Sequence, residues 1–173
     1  MRAEVDADTE TPVSAFLKFS RDAEQAFLLE SVEGGERSAR FSFLGAGPRS
    51  VLRWKLGDEG DPIAAVDAAL ASHRAVRVPG TQRFSGGRVG HVSYDLVREF
   101  EPHVPIAKPD ELGFPDVLLM DFDEVVAFDN LRHSLHVLQE VRCDAGDDPR
   151  ALYRRACARI VKRLRALARP LED

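Results

Sequence analysis

AFLLESV (residues 26–32), EGGE (33–36), RFSFLGA (40–46) and SVLRWKL (50–56) follow one another, and their reading decides the fold class. The first run is short and apolar and reads as a buried strand. EGGE is a turn, because adjacent glycines between polar ends break any periodicity. RFSFLGA alternates around Phe41 and Phe43, and SVLRWKL carries Val51, Leu52, Trp54 and Leu56. Three strands joined by two turns predict a meander.

Working outward, Thr11-Pro12 and Asp61-Pro62 are helix starts: a side chain that caps free N–H groups, then a proline at the first helical position. Val13, Phe16 and Leu17 give the first helix one apolar face, and the Ala-rich run 63–73 is the second helix. Residues 78–85 and 103–114 read as loops, 86–94 as a strand and 95–100 as a short helix. Residues 116–122 and 124–128 read as two strands, or as one strand with a bulge, and 134–141 as the returning strand after a turn at Asp129-Asn130. Residues 150–168 form a last helix with Tyr153, Cys157, Ile160, Val161, Leu164 and Leu167 on one face, and Pro170 ends it. Hairpin turns outnumber helical crossovers. The expected class is therefore α+β, with mostly antiparallel sheet flanked by helices. The acidic residues 1–10 are expected to be frayed and disordered, residues 11–169 to form one domain, and 170–173 to be a tail.

The chain has 173 residues, 44% of them hydrophobic and 31% charged, an ordinary globular composition. No apolar run approaches the roughly 20 residues that span a bilayer. The acidic start has no basic and apolar leader pattern, and two cysteines, Cys143 and Cys157, fit no disulfide framework or metal motif. The expected compartment is the cytoplasm, with no membrane partner. The net charge of −5 argues against a nucleic-acid partner. That charge is uneven: residues 150–169 hold eight Lys or Arg and no acid. The stretch is expected to be a solvated helix face that balances an acidic body.

Chemistry-bearing residues are sparse. Gly86, Gly87 and Gly90 in GGRVG lack the G-x-G-x-x-G or G-K-[ST] context of a phosphate loop. They fit a tight turn entering a strand that another backbone approaches closely. His133 and His136 would point to opposite faces of a strand and have no third ligand beside them. His91 and His103 carry no acid–base signature, and Ser31, Ser42 and Ser93 no nucleophile elbow. Asp121 and Asp123 are expected to be solvated turn acids. Glu30-Ser31 places an acid and a hydroxyl at the end of an apolar strand. A carboxylate there needs a partner, either a ligand ammonium or an internal pair with Arg37 or Arg40.

Three segments together resemble the N-terminal domain of anthranilate synthase component I, of the chorismate-utilising enzyme family: TPVSAFLKF (11–19), FLLESVEGGERSARFSFLG (27–45) and GGRVGHVSYDLVREFE (86–101). PDVLLMDFDEVVAFDN (115–130) fits the same domain. Ser38, Ala39 and His91 depart from the family pattern, which has Trp, Gly and an aromatic there.

The resemblance implies the smaller part of a two-sheet α/β sandwich, with the catalytic chorismate-binding domain absent. It implies no cofactor in this chain, magnesium being expected only in that catalytic domain. The family reaction is a lyase step of amino-acid biosynthesis. It converts chorismate to anthranilate with ammonia from a glutamine amidotransferase subunit, and it opens tryptophan biosynthesis. The resemblance assigns this part a regulatory role, feedback inhibition by L-tryptophan. By motif, Leu29, Glu30, Ser31, Arg40, Phe41 and Ser42 would line part of that ligand-binding pocket, and none would be catalytic. The equivalent domain of aminodeoxychorismate synthase, in the folate pathway, is one alternative. A free-standing amino-acid-binding or interaction module is another. A domain cut from such a sandwich is expected to leave an apolar face or sheet edge open, so that it self-associates or needs its other half.

Overall fold

A computed structural model gives the structure, describing residues 1–30, 40–72, 74–76, 78–82, 84–105 and 110–171. In chain order the elements are β1 (Arg2–Asp6), α1 (Pro12–Ser20), β2 (Ala26–Leu29), β3 (Phe41–Ala46), β4 (Ser50–Trp54) and α2 (Pro62–Ala71). Then come β5 (Gly87–Val92), a single 3-10 turn (Tyr94–Leu96), α3 (Val97–Phe100), β6 (Val117–Phe122), β7 (Glu124–Asp129), β8 (Ser134–Gln139) and α4 (Pro149–Leu167). The chain divides into two compact units, one of residues 1–49, 80–87 and 122–173, the other of residues 50–79 and 88–121.

The first unit carries a five-stranded sheet in the order β1-β8-β7-β3-β2, every neighbouring pair antiparallel. The α+β expectation holds. Strand alternation gives the sheet two faces. Leu44, Ala46, Val126, Phe128, Leu135 and Val137 are buried on one, in a core shared with Ala15 and Phe19 of α1 and Ile160 and Leu167 of α4. Thr11 caps α1 in a reciprocal capping box with Ser14, as the Thr-Pro signal implied. The apolar stripes are rotated from those expected. Val13 and Leu17 of α1 and Tyr153 and Val161 of α4 are exposed, while small residues, Ala15 and Ala156, are buried. Helices approach a sheet most closely over small side chains, which a reading by bulk overlooks.

Two further expectations are corrected. Residues 1–10 are not disordered. Arg2–Asp6 pairs with β8 from Arg2↔Leu138 to Asp6↔Ser134, and the N-terminal ammonium donates to the Gln139 carbonyl at 2.6 Å. An edge strand buries only one face, so its pattern is weak: here Ala3 packs on the core while Arg2 and Glu4 form an ion pair. The three-strand meander is also broken. β2 and β3 do form a hairpin, but β4 pairs with β6. Local alternation predicts strands without naming their partners.

The second unit contains the sheet β4-β6-β5, with Trp54, Leu96 and Val117 in its small core. Asp61 caps α2, its Oδ1 accepting from the Ile63 and Ala64 N–H groups. The glycine reading holds: Gly86 and Gly87 have positive φ, and a Cβ on Gly90 would lie 1.8 Å from the Leu118 carbonyl oxygen. Backbone approach of that kind admits no side chain. Asp121 is not solvated. It is buried and pairs with the Arg88 guanidinium at 3.6 Å.

Candidate ligand-binding face

The β2–β3 hairpin sets Leu29 opposite Phe43, and β3–β7 pairing sets Phe41 opposite Asp129. Cross-strand partners share a face. Leu29, Phe41, Phe43 and Asp129 therefore lie together, on the face away from the helices. β7–β8 pairing adds Ser134 and His136 to it.

Half of this face is aromatic. Phe43 packs edge-on against Phe84 at 5.6 Å, Phe27 against Phe84 at 6.0 Å, and Phe27 against Phe122 at 4.8 Å. Phe41 lies 6.1 Å from Phe43 with the Arg40 guanidinium 4.9 Å above its ring. Such ring contacts fix orientation beyond the area they bury. Leu29 ends the row and is 48% exposed, so an apolar contact stays open to solvent beside a rigid aromatic floor.

The other half is polar. Asp129 is buried and takes a forked contact from Arg40, with Nε to both carboxylate oxygens at 3.1 Å and Nη2 to Oδ2 at 2.6 Å. Its Oδ1 also accepts from the Leu131 and Arg132 N–H groups. Burial by itself would raise the Asp129 pKa. The Arg40 hydrogen bond, the Arg132 N–H, the Arg40 charge and the Leu131 N–H outweigh it and hold the carboxyl below the usual range. Ser134 Oγ and His136 Nε2 are 3.2 Å apart, and Glu4 lies 3.6 Å from His136 Nδ1. Burial pushes the His136 imidazole down, against the raising field of Glu4.

The sequence-assigned residues thus separate. Leu29 and Phe41 share the open face, and Arg40 joins them through its contacts with Phe41 and Asp129. Glu30 follows β2 and is exposed. It is not the internal partner of Arg40, since Asp129 takes that place. Ser42 points to the helix-covered side, buried, and accepts from Asn130 Nδ2 at 3.2 Å. Ser31, together with Arg37, Ser38 and Ala39, lies outside the described residues. His133 stands before β8 in a turn at φ 51°, not in the strand. Sequence reasoning missed Asp129, which it read as a turn residue, and Phe84, which it read as loop. Neither carries a local signal, because each acquires its role from a strand or segment distant in sequence. Among the described residues no group of three His, Cys, Asp or Glu could hold a metal ion, and no helix is long and apolar enough to cross a membrane.

No protein-family model matches the chain. Individual relatives do. The chain is 39% identical to anthranilate synthase component 1 of Pseudomonas aeruginosa over 95% of its own length, and 32% identical to that of Acetivibrio thermocellus over 98%. Against the Thermus thermophilus enzyme it is 43% identical over 76% of its length. Its fold is similar to that of anthranilate synthase component I from Streptococcus pneumoniae, with a TM-score of 0.58 over 96% of this chain and 37% of that one, at 20% identity. The chain spans 36%, 35% and 30% of those three curated relatives. Over nearly all of its length, this chain is therefore related to one part, about a third, of anthranilate synthase component 1.

Proposed function

We propose that the chain is the regulatory, non-catalytic N-terminal portion of an anthranilate synthase component 1, and that it supplies one wall of a site for L-tryptophan. The observation that carries this reading is the relationship over 95% of the chain to the Pseudomonas aeruginosa enzyme. The geometry supports it. Leu29 and Phe41 offer an apolar contact for an indole, and exposed Glu30 offers a carboxylate for an ammonium group. Ser31 follows in sequence. Arg40, held by Asp129, fixes the strand end beside Phe41. Ser42 contributes by holding Asn130, whose backbone N–H donates to the Arg40 carbonyl at 2.8 Å.

In this reading the reacting groups, and the magnesium they use, belong to the two-thirds of component 1 outside the matched part. That remainder converts chorismate to anthranilate with ammonia from a glutamine amidotransferase partner, in the cytoplasm, at the opening of tryptophan biosynthesis. The second unit supports a requirement for that remainder: Val92, Tyr94, Leu112 and Phe114 are exposed, Tyr94 to 89%. Groups of this kind are commonly covered in an assembled protein.

The test mixes the chain with the separately produced remainder of the Pseudomonas aeruginosa enzyme and follows anthranilate fluorescence from chorismate and ammonia. The expected result is activity only in the mixture, inhibited by L-tryptophan and not by L-phenylalanine. Activity of the remainder alone that tryptophan inhibits equally without this chain would overturn the reading.

A further inference from the structure

The two sides of α4 treat the same residue type in opposite ways. Arg163 is held against the sheet and α1. Its Nε donates to Glu124 Oε1 at 2.5 Å, its Nη1 to the Phe19 carbonyl at 3.4 Å, and its guanidinium lies 3.7 Å above the Phe19 ring. Arg150, Arg154, Arg155, Arg159, Lys162 and Arg165 are instead exposed. No ion pair or side-chain hydrogen bond joins any of these six to a described residue. At 3.6 residues per turn they spread over about half of the helix circumference, opposite the buried Ala156, Ile160 and Leu167. Ala151 and Ala158 lie in the middle of that arc.

This arrangement works against the helix itself. Arg150 and Arg154, Arg155 and Arg159, and Lys162 with Arg159 and Arg165 are like-charged neighbours three or four positions apart, which repel. Arg150, Arg154 and Arg155 stand near the positive end of the helix dipole, and no acid in the first turn offsets them. Acids are not scarce elsewhere: residues 1–149 hold 27 of them against 16 Lys and Arg. None pairs with these six cations. A row of carboxylates supplied from outside would relieve both penalties.

We infer that the outer face of α4 is a docking surface for an acidic protein segment, a helix with carboxylates repeated every three or four residues. Arg155, Arg159 and Lys162 recur at that spacing, about 4.5–6 Å of rise per step. Carboxylates at the same spacing meet them in register through charge-assisted hydrogen bonds, as charged flanks do between paired helices. Ala151 and Ala158 let the backbone of such a partner come close. A nucleic acid fits less well. Its phosphate chain would continue from α4 along a protein whose remaining residues carry an excess of acid.

The probe is a synthetic helical peptide of about 20 alanine and glutamate residues, with glutamate every three or four positions. The control carries glutamine in place of glutamate, and duplex DNA of about 20 base pairs is the competing polyanion. Each is titrated into the full 173-residue chain at about 0.15 M salt, which screens exposed charges beyond roughly 8 Å. Calorimetry and the arginine side-chain N–H resonances follow the binding. The glutamate peptide is expected to bind saturably with a Kd below about 1 mM and to shift Arg155 and Arg159, while the glutamine peptide does not bind. Arg155→Gln/Arg159→Gln should weaken binding about fivefold or more, and Arg53→Gln/Arg74→Gln, at exposed positions of the second unit, less than about twofold. The thermal midpoint of the α4 variant should be unchanged or higher, because repulsion is relieved. No saturable binding, equal binding of the glutamine peptide, or DNA binding as tight as that of the glutamate peptide overturns the proposal. Equal weakening by the two variants overturns it too, as does a lowered thermal midpoint, which would assign these cations to the fold.

Discussion

The two faces of the five-stranded sheet use alternate residues of the same strands, yet they bury different things. Under α1 and α4 lie Leu44, Val126, Phe128, Leu135 and Val137, apolar and almost wholly hidden. On the other side the same strands present Phe41, Asp129, Ser134 and His136, with Leu29 left half in solvent. The first face can exchange one apolar side chain for another of similar volume at small cost. The second cannot, because each polar group there depends on a specific partner. The difference teaches which face maintains the fold and which one is available for recognition.

Substitutions should separate the faces. The largest effect is expected under the helices. Phe128→Ala should lower stability by about 4 kcal/mol, read as a reduced urea midpoint at unchanged slope. A loss below about 1 kcal/mol would mean that this face is not the core. Asp129→Asn comes next, at about 2 kcal/mol near neutral pH, because it removes the charged acceptor of Arg40. The sign follows from the depressed carboxyl pKa. That stability is present above the unfolded carboxylate pKa and is lost as pH falls through the folded one. The acid limb of a stability–pH curve should flatten in the variant.

His136→Gln should have a smaller effect, confined to the imidazole range between roughly pH 7 and 5. Burial lowers the folded pKa, so the native state resists protonation and the parent chain loses stability as pH falls below the unfolded imidazole pKa. The Glu4 charge moderates this, while the Arg2 charge reinforces it. The variant should lose the slope in that window, and NMR of the imidazole should give a pKa below the usual value. Glu30→Gln should change stability least, within about 0.5 kcal/mol as for other exposed positions. It should nevertheless weaken tryptophan binding about tenfold, the loss of roughly 1.4 kcal/mol expected for a charge-assisted contact. A Glu30 variant with normal tryptophan affinity would remove it from the site.

Much of the fold was legible locally. Thr11-Pro12 and Asp61-Pro62 start helices as their chemistry dictates, and Gly90 stands where a carbonyl excludes any Cβ. What could not be read was non-local. β1 looks like an acidic tail until β8 lies beside it. β4 follows β3 closely, yet it pairs with β6, a strand more than 60 residues further on. The same limit applied to the site. Leu29 and Phe41 came from motif resemblance and share a face, but the partner of Arg40 could not be read locally, because Asp129 is 89 residues away. Ser42 sits between Phe41 and Phe43, and strand alternation alone turns it to the far side.

The most direct test of the central claim is an L-tryptophan titration of the ¹⁵N- and methyl-labelled chain, alone and with the remainder of component 1, with L-phenylalanine as control. The account predicts saturable, tryptophan-specific shifts at Leu29, Glu30 and Phe41, strengthened by the remainder, with Leu44, Val126 and Val137 unmoved. Shifts confined to the helix-covered face, or none in the presence of the remainder, would contradict it.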